Sequence, residues 1–317
     1  MPTRVWWRLE DTPPDFGPAA LTIGKFDGVH MGHRALMRRA KELGSLNGWK
    51  PSVLTFYPHP AKIVAPSRAP RMITPFERRA ELMGSEGIEQ VLMLPFTLAV
   101  SQWSPREFVE DLLVRRLGAR CVIVGDDFRF GHKQAGDLAM LRDLGERLGF
   151  TVDVVPPVDL RGVRVSSSFV RDLVNSGRIA RANRALCKPF ELQGRVVAGH
   201  GVGSKQTVPT LNLHPDSEVL PMKGVYATRT TDPASGRKWD SISNVGTRPT
   251  FDGASISVET FLLSPFDGVA LERIRVEFLW RLRDERKFES AELLKAQILR
   301  DVAHARRVHR RLGPWVA

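Results

Sequence analysis

The chain has 317 residues, with 47 Lys and Arg against 35 Asp and Glu, a formal charge of +12 and 42% hydrophobic residues. That length and apolar content support one large core or two ordinary ones. No apolar run reaches the length a membrane span needs, and the amino end lacks a signal-peptide core, so a cytoplasmic protein is expected. The 2 cysteines, Cys121 and Cys187, exclude a disulfide framework or a cysteine metal cluster.

In chain order, Trp6 and Trp7 among Arg4, Arg8 and Glu10 predict a short strand. Apolar runs follow at Leu21–Ile23, Val53–Phe56, Val91–Leu94, Cys121–Val124 and Val152–Val155, with Cys121 as a small buried hydrophobe. Amphipathic stretches lie between them. Two start with a hydroxyl, proline and glutamate in N-cap order: Thr74-Pro75-Phe76-Glu77 and Ser104-Pro105-Arg106-Glu107. This alternation predicts a doubly wound parallel sheet, whose ligands bind beyond the carboxyl ends of the strands.

The most informative segment ends the first of those runs: Gly24-Lys25-Phe26-Asp27-Gly28-Val29-His30-Met31-Gly32-His33, ahead of a helical pattern through Leu36, Met37, Ala40 and Leu43. A strand that breaks at glycines and restarts as a helix leaves backbone N–H groups aimed at one point, at the positive end of the helix dipole, which suits a phosphate. His30 and His33 add donors that can follow charge developing on a phosphoryl group. Three more segments fall at strand ends. Thr55-Phe56-Tyr57-Pro58-His59-Pro60 is a stiff loop presenting His59 and aromatic rings. In Val124-Gly125-Asp126-Asp127-Phe128-Arg129-Phe130-Gly131, Phe128 and Phe130 can flank a flat ring while the carboxylates accept its hydrogen bonds. In Val165-Ser166-Ser167-Ser168-Phe169-Val170-Arg171, hydroxyls open a helix with Arg171 one turn in, suited to the far end of a triphosphate.

After about Pro189 short alternating segments appear: Arg195–Val197, Val225–Thr228, Ile256–Val258 and Ile274–Phe278. They predict an antiparallel barrel or sandwich, closed by one helix from about Ser290. The division expected is 1–187 and 188–317. The charge of +12 suits anionic partners, but its densest runs, Arg306-Arg307 and Arg310-Arg311, continue the amphipathic pattern of Leu294, Ile298, Val302 and Ala305 as a solvated helix face. Gly199-His200-Gly201-Val202-Gly203-Ser204-Lys205 is a glycine-rich strap able to approach a pyrophosphate, with Lys205 to neutralise it. Thr210 and Asn212, held behind Pro209, offer oxygens on one face to Mg²⁺. Glu259 shares a strand face with Ser257 and Phe261 and is placed to take a proton from an attacking alcohol.

From about Ala20 to Phe190 the sequence resembles the adenylyltransferase half of bacterial bifunctional riboflavin kinase/FAD synthetases. It carries their GxFDGxHxGH, TFxPHP, VGxDFxFG and SSxxxR marks in order. From about Pro189 to Arg311 it resembles their riboflavin kinase module, through the strap and PTxN turn, Gly224–Tyr226, the Asn244–Phe251 loop, the Val258-Glu259-Thr260 strand, and Arg283 followed by Lys287-Phe288. The resemblance implies an α/β nucleotidylyltransferase domain followed by a small antiparallel β-barrel with a terminal helix. It implies phosphorylation of riboflavin to FMN and adenylylation of FMN to FAD with release of pyrophosphate, from ATP and with Mg²⁺.

Site roles follow from the same likeness. His30 and His33 stabilise the α-phosphate, and Ser166, Ser167 and Arg171 hold the β,γ-phosphates, with Gly24, Phe26, Asp27 and Gly32 completing the ATP loop. Phe56, Pro58, His59, Asp127, Phe128, Phe130 and Arg283 contact flavin. In the kinase, Gly199, Gly203 and Lys205 embrace the ADP part, Thr210 and Asn212 bind Mg²⁺, and Glu259 is the base. Ser204, Thr207, Leu211 and Phe261 depart from the bacterial pattern, so the alternative is an FAD synthetase with an inactive or altered kinase module. A basic RNA-binding protein on a reused scaffold is disfavoured because no strand carries the aromatic platforms such modules use, and neither nucleic acid nor membrane is an expected partner. A monomer or weak homo-oligomer is expected.

Overall fold

The computed structural model describes residues 3–197, 210–250, 253–264 and 271–316, with backbone alone for 247–250, 253–256 and 313–316. The chain divides into two compact units, Met1–Ser167 and Ser168–Ala317.

The first unit runs β1 (Arg4–Trp6), β2 (Ala19–Ile23), α1 (Met31–Asn47), β3 (Lys50–Tyr57), α2 (Pro60–Val64), α3 (Phe76–Ser85), β4 (Gln90–Pro95), α4 (Leu98–Ser101), α5 (Pro105–Glu107), β5 (Ala119–Gly125), α6 (Leu138–Leu148) and β6 (Thr151–Val155). All five residues of β2 are buried, as a central strand covered on both faces requires. The sheet order is β1-β4-β3-β2-β5-β6, every pair parallel. The chain builds outward from β2 through β3 and β4, then crosses back to lay β5 and β6 on the other side. The order therefore reverses at β2, so the carboxyl ends of β2 and β5 flank the switch point beyond which sheets of this kind bind their ligands. One apolar cluster, with Leu21, Leu54, Val109, Leu113 and Leu141, covers one face; a second, with Val53, Met37, Ala40, Met83 and Val91, covers the other.

The two expected helix starts form differently. Ser104 and Glu107 make a reciprocal capping box at α5, which runs on as a π-helical stretch, Phe108–Arg116. At α3 the cap residue is Pro75, which has no side-chain donor or acceptor to close a box with Glu77.

The second unit holds α7 (Ser167–Asn175), which starts on the last residue of the first, then α8 (Ile179–Leu186), β7 (Phe190–Val197), β8 (Thr210–Pro215), β9 (Gly224–Thr231), β10 (Lys238–Thr250), β11 (Gly253–Leu262), β12 (Arg273–Arg283) and α9 (Ala291–Val316). The strands close a barrel in the order β10-β11-β8-β7-β12-β9, all antiparallel. The side chain of Asn183 ties α8 to the barrel by donating to Phe278 O at 2.8 Å and accepting from Phe190 N at 2.8 Å. Such a tie groups α8 with the strands that follow it in sequence. Helix α9 packs through Ala305 and Val308 on Val225, Ala227 and Ile242, the outward residues of β9 and β10. The alternating inward positions carry Thr228, Thr230, Ser241, Ser243 and Thr260, all fully buried. They satisfy one another in a hydroxyl chain with links of 2.8–2.9 Å.

Candidate active sites

The loop between β2 and α1 is held open from beneath. Phe26 and Val29 have φ of 50° and 45°, and Gly28 has φ 84°, so three left-handed residues fold seven positions into a tight cradle. The brace is an ion pair between Asp27 and Arg79, each 1% exposed and 3.3 Å apart. The Asp27 carboxylate also accepts from Ile73 N and Thr74 N at 3.1 Å. Arg79 further donates to Lys25 O at 2.8 Å and Thr74 O at 3.1 Å, and its guanidinium lies 4.4 Å over the Phe76 ring. Asp27, expected among the ATP-loop residues, thus fixes the path of the Gly24–His33 loop, with its carboxylate turned into the protein. Arg79 was not singled out from the sequence. The signal was an arginine amid Ala80, Leu82 and Met83 on the buried face of a helix, where a cation needs a carboxylate.

His30 caps α1, its Nδ1 accepting from the His33 N–H at 3.4 Å. The two imidazoles stack with centroids 3.6 Å apart and planes 20° from parallel. Phe26, fully buried, meets His33 edge-on at 5.2 Å. Burial, then His30, then Arg79 and Lys25 lower the basicity of His33 well below that of a free histidine. Its Nδ1 has no hydrogen-bond partner among the described residues. The two glycines beside this pair leave room for rings. A β-carbon on Gly32 would stand 3.2 Å from the His30 ring, and one on Gly24 3.2 Å from the Phe26 ring. The serine segment reaches this cradle, since Ser167 Oγ donates to Asp27 O at 2.9 Å and Val165 O approaches Gly32. Arg171 lies one turn into α7, in the second unit.

The expected flavin contacts of the first unit divide by exposure. Phe130 is wedged in the core between Phe108 at 5.8 Å and Phe128 at 5.5 Å, leaving half-buried Phe128 to present the ring surface. Asp127 is exposed and ion-paired with Arg164 at 3.3 Å, which also binds Asp126. His59 is buried as the cap of α2, its Nδ1 accepting from Ala61 N at 3.2 Å, and Pro58 precedes it. Phe56 meets Phe96 edge-on at 5.7 Å.

In the barrel, strand register does the gathering. Asn212 of β8 pairs with Glu259 of β11, Glu259 with Asn244 of β10, Asn244 with Val225 of β9, and Val225 with Arg283 of β12. The expected metal ligand, base and flavin arginine thus lie in one transverse row. Thr210 sits two residues before Asn212 on the same face of β8, next to Phe261 in register. Arg283 is tied down: Nε donates to both Asp301 oxygens at 3.0–3.1 Å, Nη2 to Oδ2 at 2.8 Å and Nη1 to Asp284 O at 2.8 Å. Its ring-like face is left for stacking, with Phe288 at 5.9 Å. A groove of about 500 Å³ opens beside it, lined also by Arg286, Arg300 and His304. Gly199, Gly203 and Lys205 lie outside the described residues. Asn244 had been noted only as part of a polar loop; its place in the row appears once the strands are registered.

A tight glycine–histidine loop at the switch point of a doubly wound parallel sheet, followed by a closed antiparallel barrel, is the architecture expected of a two-module nucleotide-dependent transferase. Residues 12–169 match the family model described as FAD synthetase, and residues 186–309 the one described as riboflavin kinase. The chain is 36% identical over 94% of its length to the bifunctional riboflavin kinase/FMN adenylyltransferase of Pseudomonas fluorescens, covering 95% of that protein. It is 35% identical to the enzyme of the same name from Escherichia coli K12, over 90% of this chain and 91% of that one. A solved Streptococcus pneumoniae structure described as a macrolide-efflux protein has the same fold, with a TM-score of 0.83 and 25% identity over 96% of this chain and 99% of that one. Among the described residues no helix is long and apolar enough to cross a membrane. The chain belongs to the bifunctional riboflavin kinase/FMN adenylyltransferase family. It is an enzyme carrying riboflavin to FMN and FMN to FAD, and the match to the riboflavin kinase family model leaves the alternative of a silent second module without support.

Proposed function

We propose that the two reactions run at separate sites, the adenylyl transfer on the Gly24–His33 cradle and the kinase reaction on the Asn212–Glu259 row. The observation that carries the first assignment is the stacked His30/His33 pair at the start of α1, with Ser167 drawn onto the same loop. ATP lies with its α-phosphate against the two imidazoles, and Ser166, Ser167 and Arg171 hold the β,γ-phosphates. The FMN phosphate attacks the α-phosphorus in line and pyrophosphate leaves, so the protein's task is alignment and charge stabilisation. Desolvation keeps His33 neutral before substrate arrives; a phosphate anion beside it reverses that balance and strengthens its N–H as a donor. Gly24, Phe26 and Gly32 shape the cradle, and Asp27 with Arg79 keeps it open. Half-buried Phe128, with Phe56 and the Pro58-His59 corner, forms the flavin side.

In the kinase, Glu259 takes the proton of the riboflavin 5′-hydroxyl as that oxygen attacks the γ-phosphorus, whose bond to the β,γ-bridging oxygen breaks to release ADP. The hydroxyl of Thr210 and the buried amide of Asn212, beside a carboxylate, are hard oxygen donors that fit Mg²⁺, which would neutralise charge on the phosphates when bound. By family likeness Gly199, Gly203 and Lys205 hold the ADP part, and Arg283 packs against the flavin.

Two substitutions test the division. Glu259→Ala should abolish FMN formation from riboflavin and leave FMN-to-FAD conversion intact; His33→Ala should do the converse. An equal fall of both reactions in either variant, with the fold retained, refutes the two-site assignment.

A further inference from the structure

Three carbonyls of the Gly24–His33 loop, spaced two residues apart, each accept a hydrogen bond from a side chain outside the loop. Lys25 O takes Arg79 Nη1 at 2.8 Å and Thr55 Oγ1 at 3.3 Å, and Asp27 O takes Ser167 Oγ at 2.9 Å. Val29 O takes Arg34 Nε at 3.2 Å. This last donor, from the first turns of α1, has no part in the chemistry proposed above. Val29 is the residue most in need of it: a β-branched, fully buried side chain at φ 45°, immediately ahead of His30.

Arg34 is itself held. Its Nη1 donates to Oε1 of Glu86, which caps the carboxyl end of α3, and the two side chains are only 16% and 17% exposed. A guanidinium at the fourth position of α1 stands near the positive end of that helix, where a cation is disfavoured, and the first turn supplies no acid to offset it. Glu86, from another helix, supplies that carboxylate. Arginine alone has the fork that gives Nε to a carbonyl while Nη1 keeps a carboxylate. Helix α3 thereby grips the loop twice, through Arg79 within it and through Glu86 at its end.

The consequence falls on His30. The Val29–His30 peptide is trans and planar, so fixing Val29 O also fixes the opposed N–H of His30 and the Cα from which its imidazole hangs. That ring is stacked on His33 at 3.6 Å and its Nδ1 accepts from the His33 N–H, so a turn of the peptide would disturb both imidazoles. Resting on the reading of this loop as the adenylyl-transfer site, we infer that Arg34 is a positioning residue for that reaction. Clamped by Glu86, its guanidinium pins the Val29–His30 peptide and so aims the histidine pair at the α-phosphate. It acts through His30 and not on the substrate.

The test measures kcat and KM for FMN-to-FAD conversion in the full chain carrying Arg34→Ala, Glu86→Ala, both together, and His33→Ala, with riboflavin phosphorylation as an internal check of folding. Loss of the charge-assisted bond to Val29 O predicts a kcat about 10–100-fold lower in Arg34→Ala, with KM for ATP and FMN within about threefold, because alignment and not binding is lost. Glu86→Ala leaves the guanidinium in place but unclamped, and its kcat should be about 2–10-fold lower. The double variant should be no slower than Arg34→Ala, since both residues act along one path. A wild-type kcat in Arg34→Ala, a raised KM for ATP at unchanged kcat, an equal loss of the kinase reaction, or losses that multiply in the double variant overturns the inference while His33→Ala remains inactive. Should Arg34→Ala not fold, Glu86→Ala carries the same test, and a wild-type kcat there overturns it. If His33→Ala retains adenylyl transfer, the site assignment itself falls and takes the inference with it.

Discussion

The Asp27–Arg79 pair carries the most exacting prediction. Both groups are 1% exposed, so solvent screens neither, and removing one leaves the other charged in the interior. Asp27→Ala also strands the N–H groups of Ile73 and Thr74, each bound at 3.1 Å. Breaking a buried pair costs about 3–5 kcal/mol, a factor of roughly 10²–10³·⁵ in the unfolding equilibrium. With a urea slope near 2 kcal/mol/M that is a midpoint shift of about 2 M for the first unit. Because the loop follows the brace, adenylyl transfer should fall in step, while riboflavin phosphorylation serves as the internal control. The double variant Asp27→Asn/Arg79→Met removes both charges and keeps one acceptor for the two N–H groups, so it should cost less than the sum of its single variants. A first-unit transition in Asp27→Ala within about 1 kcal/mol of wild type, or a double variant that is simply additive, would falsify the buried-brace argument.

The remaining predictions are narrower. Gly32→Ala exchanges a helical glycine for alanine, worth up to about 1 kcal/mol in favour of the helix, yet its β-carbon would press on the His30 ring at 3.2 Å. Adenylyl transfer should drop at least about tenfold without loss of thermal stability, and a variant as active as wild type would show that the ring position is unimportant. His33 is less basic in the folded chain than unfolded, so the unfolded state binds the extra proton first as pH falls. Its contribution to stability is full above the unfolded value near 6.5 and is lost as pH drops toward the folded value, with a slope up to about 1.4 kcal/mol per pH unit. Replacing His33 by Gln should flatten that dependence in urea melts from pH 7.5 to 5.5; parallel curves for the two proteins count against it. Glu277 is shifted the other way, by burial and then by Glu191 directly across the strand pair, so its carboxylate is destabilising once ionised. The favourable contribution of its neutral form is complete below the unfolded value and vanishes as pH rises through the folded one. Glu277→Gln should therefore raise barrel stability at pH 8 more than at pH 4, and the reverse order would refute this.

How much of this was legible beforehand depended on whether a feature is local. The five strands from Leu21 to Val155 are short apolar runs, and β2 to β6 stand where those runs place them; β2 to β5 are buried along most of their length, while β6, at the sheet edge, is only partly covered. Ser104-Pro105-Arg106-Glu107 carries its own capping geometry and forms it; Thr74-Pro75-Phe76-Glu77 has the same letters, but there the chain takes Pro75 as the cap while the backbone N–H groups of Ile73 and Thr74 bind Asp27. That competition is invisible without the tertiary partner 46 residues away.

Roles assigned to side chains shifted for the same reason. Asp27, His59 and Phe130 sit in the expected loops, but a buried arginine, a helix N–H and a neighbouring ring occupy the faces that the sequence left unspoken for. The kinase row was least legible of all. Asn212, Asn244, Glu259 and Arg283 come from four strands, and only the register between strands sets which residues are opposite; a slip of one residue would turn each to the other face of the barrel. Motif spacing within a strand reports a face, whereas chemistry between strands needs the pairing.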